Sequence, residues 1–148
     1  MSTTTGEHCA RAAEVDRLLA QARAGFERLR PVEAWAAAGR GAKIVDTRPE
    51  HQRRIAGEIP GAVVIERNHL EWRLDPTCDS RIPEAGSRHI QWIVICAEGY
   101  SSSLAAAALR ELGLYNATDV IGGVDAWVEA GLPTVHPARP TVPRGPGE

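Results

Sequence analysis

IQWIVICAEGYSSSLAAAALRELG, residues 90–113, reads as a strand, a turn and a helix in succession. Trp92-Ile93-Val94-Ile95 is an apolar run rich in β-branched residues, short enough for a strand buried on both faces. Cys96 ends the run. Ala97-Glu98-Gly99-Tyr100-Ser101 then makes a tight connection, and Ser102 or Ser103 is placed to cap a helix. Leu104, Ala108, Leu109 and Leu112 repeat at helical spacing before Gly113 stops it. The thiol therefore sits where a strand hands over to a helix N-terminus, a place where unpaired backbone N–H groups and the positive end of the helix dipole favour a thiolate. On these residues alone, Cys96 reads equally well as a small buried hydrophobe.

Upstream, Ala10 to about Arg30 carries Val15, Leu18, Leu19, Ala22, Phe26 and Leu29 as an apolar stripe, which predicts an amphipathic helix in search of a partner surface. Pro31 opens a second, alanine-rich helix that Gly39 and Gly41 end. Ala42-Lys43-Ile44-Val45-Asp46 is a short strand of the buried type, and Pro49 can open a short helix over residues 50–54. Asp46 and Arg48 thus lie at the C-terminal end of a strand, where open parallel sheets gather ligands. A purely structural role, Arg48 pairing with an acid to pin the turn, accounts for the same residues and is favoured.

Residues 66–74 predict a helix broken by Pro76, and residues 78–89 a polar, exposed connection. Cys78 in that connection is an incidental thiol or a resolving partner for Cys96. His69 and His89 have no partnered acid in the sequence pattern and are not assigned catalytic roles. Downstream, residues 114–121 read as a strand, Gly122-Gly123 as a turn and residues 124–130 as a helix, with Trp127 as core. Residues 1–9 are polar and read as disordered; residues 137–148 are a proline-rich tail.

A chain of 148 residues with 43% hydrophobic content suits one compact domain with short appendages. A formal net charge of -2 gives no basic footprint for nucleic acid or an acidic membrane. Three cysteines at irregular spacing, with no CxxC pair, imply neither a disulfide framework nor a metal site. No run reaches the roughly 20 apolar residues a membrane span needs, and the N-terminus lacks signal-peptide character. A cytoplasmic protein is expected, with the thiol kept reduced.

Cysteine after an apolar strand, a glycine-containing loop, small hydroxyl residues and an alanine-rich helix together resemble the active-site loop of the rhodanese family of sulfurtransferases. VDTRPE at 45–50, GEIPGAVVI at 57–65 and VIGGVDAWVEAGLP at 120–133 resemble three further blocks of that family in the same order. The βαβ alternation independently gives an α/β class, an open and mostly parallel sheet with helices on both faces. The resemblance implies a rhodanese-like domain over residues 28–136, preceded by a tail and the extra amphipathic helix over 1–27 and followed by the tail over 137–148.

What the resemblance implies chemically is transfer of sulfane sulfur through a persulfide on Cys96, with no cofactor and no metal. Ala97, Glu98, Gly99, Tyr100, Ser101 and Ser102 would bind substrate, and Asp46 and Arg48 would support the loop. The expected partners are a small donor, thiosulfate or a persulfide, and a thiol or cyanide-like acceptor. A protein acceptor, or a homodimer through the N-terminal helix, completes the expected set. Two departures from the family bear on donor choice. Ser101 stands where many sulfurtransferases carry arginine, and Glu98 puts an acid inside the loop, so thiosulfate is expected to be a poor donor. Related phosphatase loops place cysteine and arginine six apart, where this chain has Ser102, which argues against phosphoryl chemistry. A non-catalytic binding module on the same scaffold and a thiol redox sensor resolved by Cys78 are the other readings.

Overall fold

The computed structural model describes residues 13–136. The two predicted tails, 1–9 and 137–148, and with them Cys9, lie outside the described residues.

Four strands form a parallel sheet: β1 (Lys43–Asp46), β2 (Val63–Val64), β3 (Trp92–Ile95) and β4 (Thr118–Asp119), in the spatial order β2-β1-β3-β4. β1 and β3 pair over their full length, from Lys43 opposite Trp92 to Asp46 opposite Ile95. Side chains alternate between faces along a strand. Val45, Trp92 and Val94 accordingly join one buried cluster with Leu70, Leu74, Ala105, Ala106 and Leu109, while Ile44, Ile93 and Ile95 join another with Ala34, Ala37, Val120, Val124 and Trp127. Both faces are covered, which is why the central strand β3 reads as a continuous apolar run.

Among the described residues six α-helices do the covering: α1 (Glu14–Arg23), α2 (Pro31–Gly39), α3 (Glu50–Ala56), α4 (Leu70–Leu74), α5 (Ser101–Glu111) and α6 (Gly123–Glu129). The second cluster is closed by Trp127, whose ring meets Trp35 of α2 edge-on at 5.6 Å and whose Nε1–H donates to the Pro133 carbonyl at 2.9 Å. Trp127 is core, as its sequence position suggests.

Three elements differ from the sequence reading. The N-terminal helix stops at Arg23; beyond Gly25 the chain extends, and Leu29 pairs in parallel with Val120 beside β4. Glycine and the need to reach the sheet edge override the helical stripe. Residues 78–89 are not uniformly exposed, because Ile82 and Ala85 drop into the core beneath α4. That loop is anchored by Asp75, whose carboxylate takes the Thr77 N–H at 2.9 Å and the Thr77 hydroxyl at 2.8 Å and is held below the usual carboxylate range by them. The strand predicted over 114–121 shortens to Thr118–Asp119 because only two residues pair with β3, Thr118 with Ile93 and Asp119 with Val94.

α1 lies against α5, with Leu19 buried in the contact and Val15 and Leu18 exposed. Part of the stripe thus rests on the domain body. Among the described residues, no helix is long and apolar enough to cross a membrane.

Candidate active site

The register of β1 on β3 brings Asp46 and Ile95 to the same rim, so the turn after β1 and the loop after β3 emerge side by side. Thr47 stitches them together, its N–H donating to the Ile95 carbonyl at 3.1 Å. A cleft of about 370 Å³ opens there, lined by Thr47, Arg48, Pro49, Gln52 and Arg67 on one side and by Cys96, Ala97, Glu98, Tyr100 and Ser101 on the other.

Cys96 lies at the floor, 6% exposed. Its Sγ accepts the backbone N–H of Gly99 at 3.2 Å and of Ser102 at 3.4 Å. Ser102 is the second residue of α5, so the helix N-terminus points a free amide at the sulfur and adds the field of its dipole. Both contacts stabilise negative charge on Sγ without a metal. Among the described residues no cluster of three or more ligating side chains is placed to hold one.

The loop is shaped from beneath. Val124 and Asp125, in the first turn of α6, donate their N–H groups to the carbonyls of Cys96 and Ala97 at 2.9 and 3.1 Å. This contact needs Gly123, because a Cβ there would collide with the Cys96 carbonyl. Gly99 has φ +88°, and a Cβ there would lie 2.6 Å from the Gly122 nitrogen. Gly99→Ala is therefore expected to cost about 1–3 kcal/mol, from strain at positive φ together with the collision. Urea unfolding of the variant reads this directly as a lowered midpoint; an unchanged midpoint would mean the loop can move off the Gly122-Gly123 turn.

The remaining residues of the predicted site fall in three groups. Glu98, Tyr100 and Ser101 are exposed at the cleft mouth, and Ala97 is half-buried. Ser102 reaches the site through its amide alone. Its hydroxyl is buried and donates to Asp119 Oδ2 at 2.8 Å, as does that of Ser103. Neither serine caps α5; Tyr100 holds the N-cap position. Asp46 and Arg48 form a buried two-pronged pair, with Arg48 Nε and Nη2 donating to the carboxylate at 3.0 and 2.7 Å. Arg48 Nη2 also donates to the Gly57 carbonyl at 2.8 Å, which pins the turn after β1. Its Nη1 is buried with no partner among the described residues.

Sequence reasoning missed four residues. Arg67 lines the cleft from the 3-10 turn after β2, its Nη1 paired with Glu71 at 2.7 Å. Asp119 is fully buried behind the loop and takes two bonds from Arg28, at 2.8 and 3.1 Å, besides the two serines. Arg23 and Arg28 both donate to the Gly99 carbonyl, at 2.9 and 3.0 Å. No local motif marks these residues: Arg23, Arg28 and Asp119 act on the loop and the start of its helix across more than 15 residues of chain, and Arg67 meets the loop only across the cleft.

The sequence profile of the Rhodanese-like domain matches residues 30–130. The chain belongs to the rhodanese-like family. Thiosulfate sulfurtransferase GlpE of Haemophilus influenzae is 32% identical over 109 residues, covering 73% of this chain and 93% of that protein. Adenylyltransferase and sulfurtransferase MOCS3 of Arabidopsis thaliana is 33% identical over 106 residues, 66% of this chain. The rhodanese-like chain spans only about a fifth of the first curated relatives it matches, 22% in the Arabidopsis case. Among solved structures, RPA3614 of Rhodopseudomonas palustris, a protein of unknown function described as a possible tyrosine phosphatase, superposes with a TM-score of 0.75 at 28% identity over 90% of this chain and 98% of its own. A rhodanese-related protein of Thermoplasma volcanium gives 0.62 at 25% identity, over 76% of this chain and all of its own. The match supports the predicted class, an open parallel sheet with helices on both faces; the N-terminal helix, Glu14–Arg23, precedes the residues that the family profile matches.

Proposed function

We propose that this rhodanese-like domain is a sulfurtransferase that carries sulfane sulfur on Cys96. The observation that carries the reading is the Cys96 sulfur at the cleft floor, facing two backbone N–H donors at a helix N-terminus. The Cys96 thiolate attacks the outer sulfur of thiosulfate or of a persulfide. A new S–S bond forms, the donor's own bond to that sulfur breaks, and sulfite or a thiolate leaves with the electron pair. Negative charge then rests on the outer sulfur of the Cys96 persulfide, where loop amides stabilise it. A thiol or cyanide-like acceptor takes that sulfur and Cys96 departs as a thiolate.

Phosphoryl transfer is disfavoured by Ser102, the sixth residue after Cys96, whose hydroxyl is committed to Asp119. The test is intact mass of the chain after incubation with thiosulfate or a small-molecule persulfide. One added sulfur on Cys96, lost again on addition of cyanide, supports the reading. A Cys96–Cys78 disulfide would instead support a redox sensor, and an unmodified thiol a binding module.

Donor choice follows from charge. Arg48 is neutralised by Asp46 and Arg67 is engaged by Glu71, whereas Glu98 has no basic partner among the described residues. Thiosulfate, a dianion, is therefore expected to be captured weakly beside a less charged persulfide. Ser101→Arg should lower the thiosulfate KM by roughly tenfold to a hundredfold, the worth of one well-placed charge-assisted hydrogen bond. Glu98→Gln should act in the same direction by less, because an exposed acid is screened. Arg67→Ala should raise that KM. Steady-state kinetics on the three variants check this, and an unchanged thiosulfate KM in all of them would mean that charge in the cleft does not set donor choice.

A further inference from the structure

The 97–101 loop is held from behind by two arginines that precede the matched domain. Arg23, the last residue of α1, donates from Nη2 to the Gly99 carbonyl at 2.9 Å and from Nε to the Ser103 hydroxyl at 2.8 Å. Arg28, on the extended segment that runs to the sheet edge, donates from Nη2 to the same carbonyl at 3.0 Å. One carbonyl oxygen thus takes two guanidinium bonds. Arg28 spends its charge on Asp119 at 2.8 Å; Arg23 has no acidic partner among the described residues. One donor is enough to satisfy a buried carbonyl, so two cationic donors on the oxygen of the buried Gly99 are more than its burial requires.

Peptide planarity gives the arrangement a consequence. A trans peptide directs its N–H opposite to its C=O. Fixing the Gly99 carbonyl toward Arg23 and Arg28 turns the Tyr100 N–H the other way, and Tyr100 is a wall of the cleft that holds Cys96. The peptide on the other side of Gly99 supplies the N–H that meets Cys96 Sγ. Gly99 has the torsional freedom to let both peptides rotate, so the fixed carbonyl is what keeps them aligned. The guanidinium charges also polarise the 99–100 peptide and strengthen its N–H as a donor.

We infer that Arg23 and Arg28 are positioning residues for the reaction: the N-terminal segment is a strap that holds the Gly99 carbonyl outward and so aims the Gly99 and Tyr100 amides at Cys96 and at the anionic end of the sulfur donor. The inference rests on the sulfur-transfer reading for its substrate and on geometry for the strap. It makes residues outside the matched domain part of the working site.

The experiment uses the full chain with Arg23→Met, which keeps the apolar stem and removes the charged fork, and Arg23→Lys, which keeps the charge and can serve one acceptor at a time. Single-turnover persulfide formation from thiosulfate should slow by about tenfold or more in Arg23→Met, the scale expected when a preorganised donor is released. The loss should fall in the limiting rate more than in the half-saturating concentration, and Arg23→Lys should recover part of it. Alkylation of Cys96 by iodoacetamide at fixed pH should slow in the same order. If Arg23→Met is unfolded, Arg23→Lys alone decides: both rates should fall severalfold below those of the wild type while its thermal midpoint stays near the wild-type value, and unchanged rates overturn the strap.

The two readings fail separately. Wild-type chain that never gains sulfur, but whose alkylation responds to Arg23, removes the sulfur donor and leaves the strap. Wild-type chain that gains sulfur at a rate unchanged in folded Arg23→Met or Arg23→Lys overturns the strap and leaves sulfur transfer standing.

Discussion

Cys96→Ser is expected to lose all sulfur transfer while keeping the fold. Serine differs from cysteine at one atom, and Gly99 and Ser102 can donate to its hydroxyl as they do to Sγ. Cys96 is only 6% exposed, so almost no new surface is opened by the change. Stability should stay within about 1 kcal/mol of the wild type, the range for a substitution that makes neither a large cavity nor an orphaned polar group. The chemistry has no such tolerance. A hydroxyl is a weak nucleophile without an adjacent base, and no histidine lines the cleft. An oxygen in place of Sγ cannot hold the transferred sulfur in a persulfide. Turnover with thiosulfate and cyanide should fall to background, and intact mass should show no added sulfur. Retained turnover, or added sulfur on Cys78 in the variant, would remove Cys96 from the nucleophile's role.

The part of this site that could be read from sequence is the part built by neighbours. Strand, cysteine, glycine and helix follow one another within residues 92–112, and each has a local signature in β-branching, turn chemistry or helical spacing. Asp46 and Arg48 were legible for the same reason, being two residues apart on one turn. Ser102 and Ser103 show the limit. Their position suits a helix cap, and that local preference lost to a buried acid supplied by β4, 16 and 17 residues away. Arg23 and Arg28 were hidden by the amphipathic stripe, in which an arginine on the polar face reads as solvated. Only the break at Gly25 and the pairing of Leu29 with Val120 turn that face toward the loop. Arg67 was missed because nothing in its own segment ties it to residues 96–101; the cleft brings the two together only after the sheet is assembled.

That hidden network is also where the second large effect is expected, at Asp119. Its carboxylate is fully buried and takes four hydrogen bonds, two from Arg28 and one each from Ser102 and Ser103. Asp119→Ala would leave a largely buried guanidinium without its counter-charge and two buried hydroxyls without their acceptor. Breaking one side of a buried, hydrogen-bonded pair costs about 3–5 kcal/mol, mostly from the charge left behind. Arg28 retains a little solvent contact and its bond to the Gly99 carbonyl, so about 3 kcal/mol, the lower end of that range, is expected. Asp119→Asn keeps an acceptor oxygen and the side-chain volume and should lose less. The decisive measurement is a cycle with Arg28→Met. If the penalty comes from an uncompensated charge, removing Arg28 as well should return part of the stability lost in Asp119→Ala, so the two losses will not add. Urea unfolding of the wild type, both single variants and the double variant gives all four corners. Asp119→Ala within about 0.5 kcal/mol of wild type, the range of an ordinary surface change, would mean the network contributes little to the fold. Strict additivity would mean that Asp119 stabilises the loop through its serines and not through Arg28.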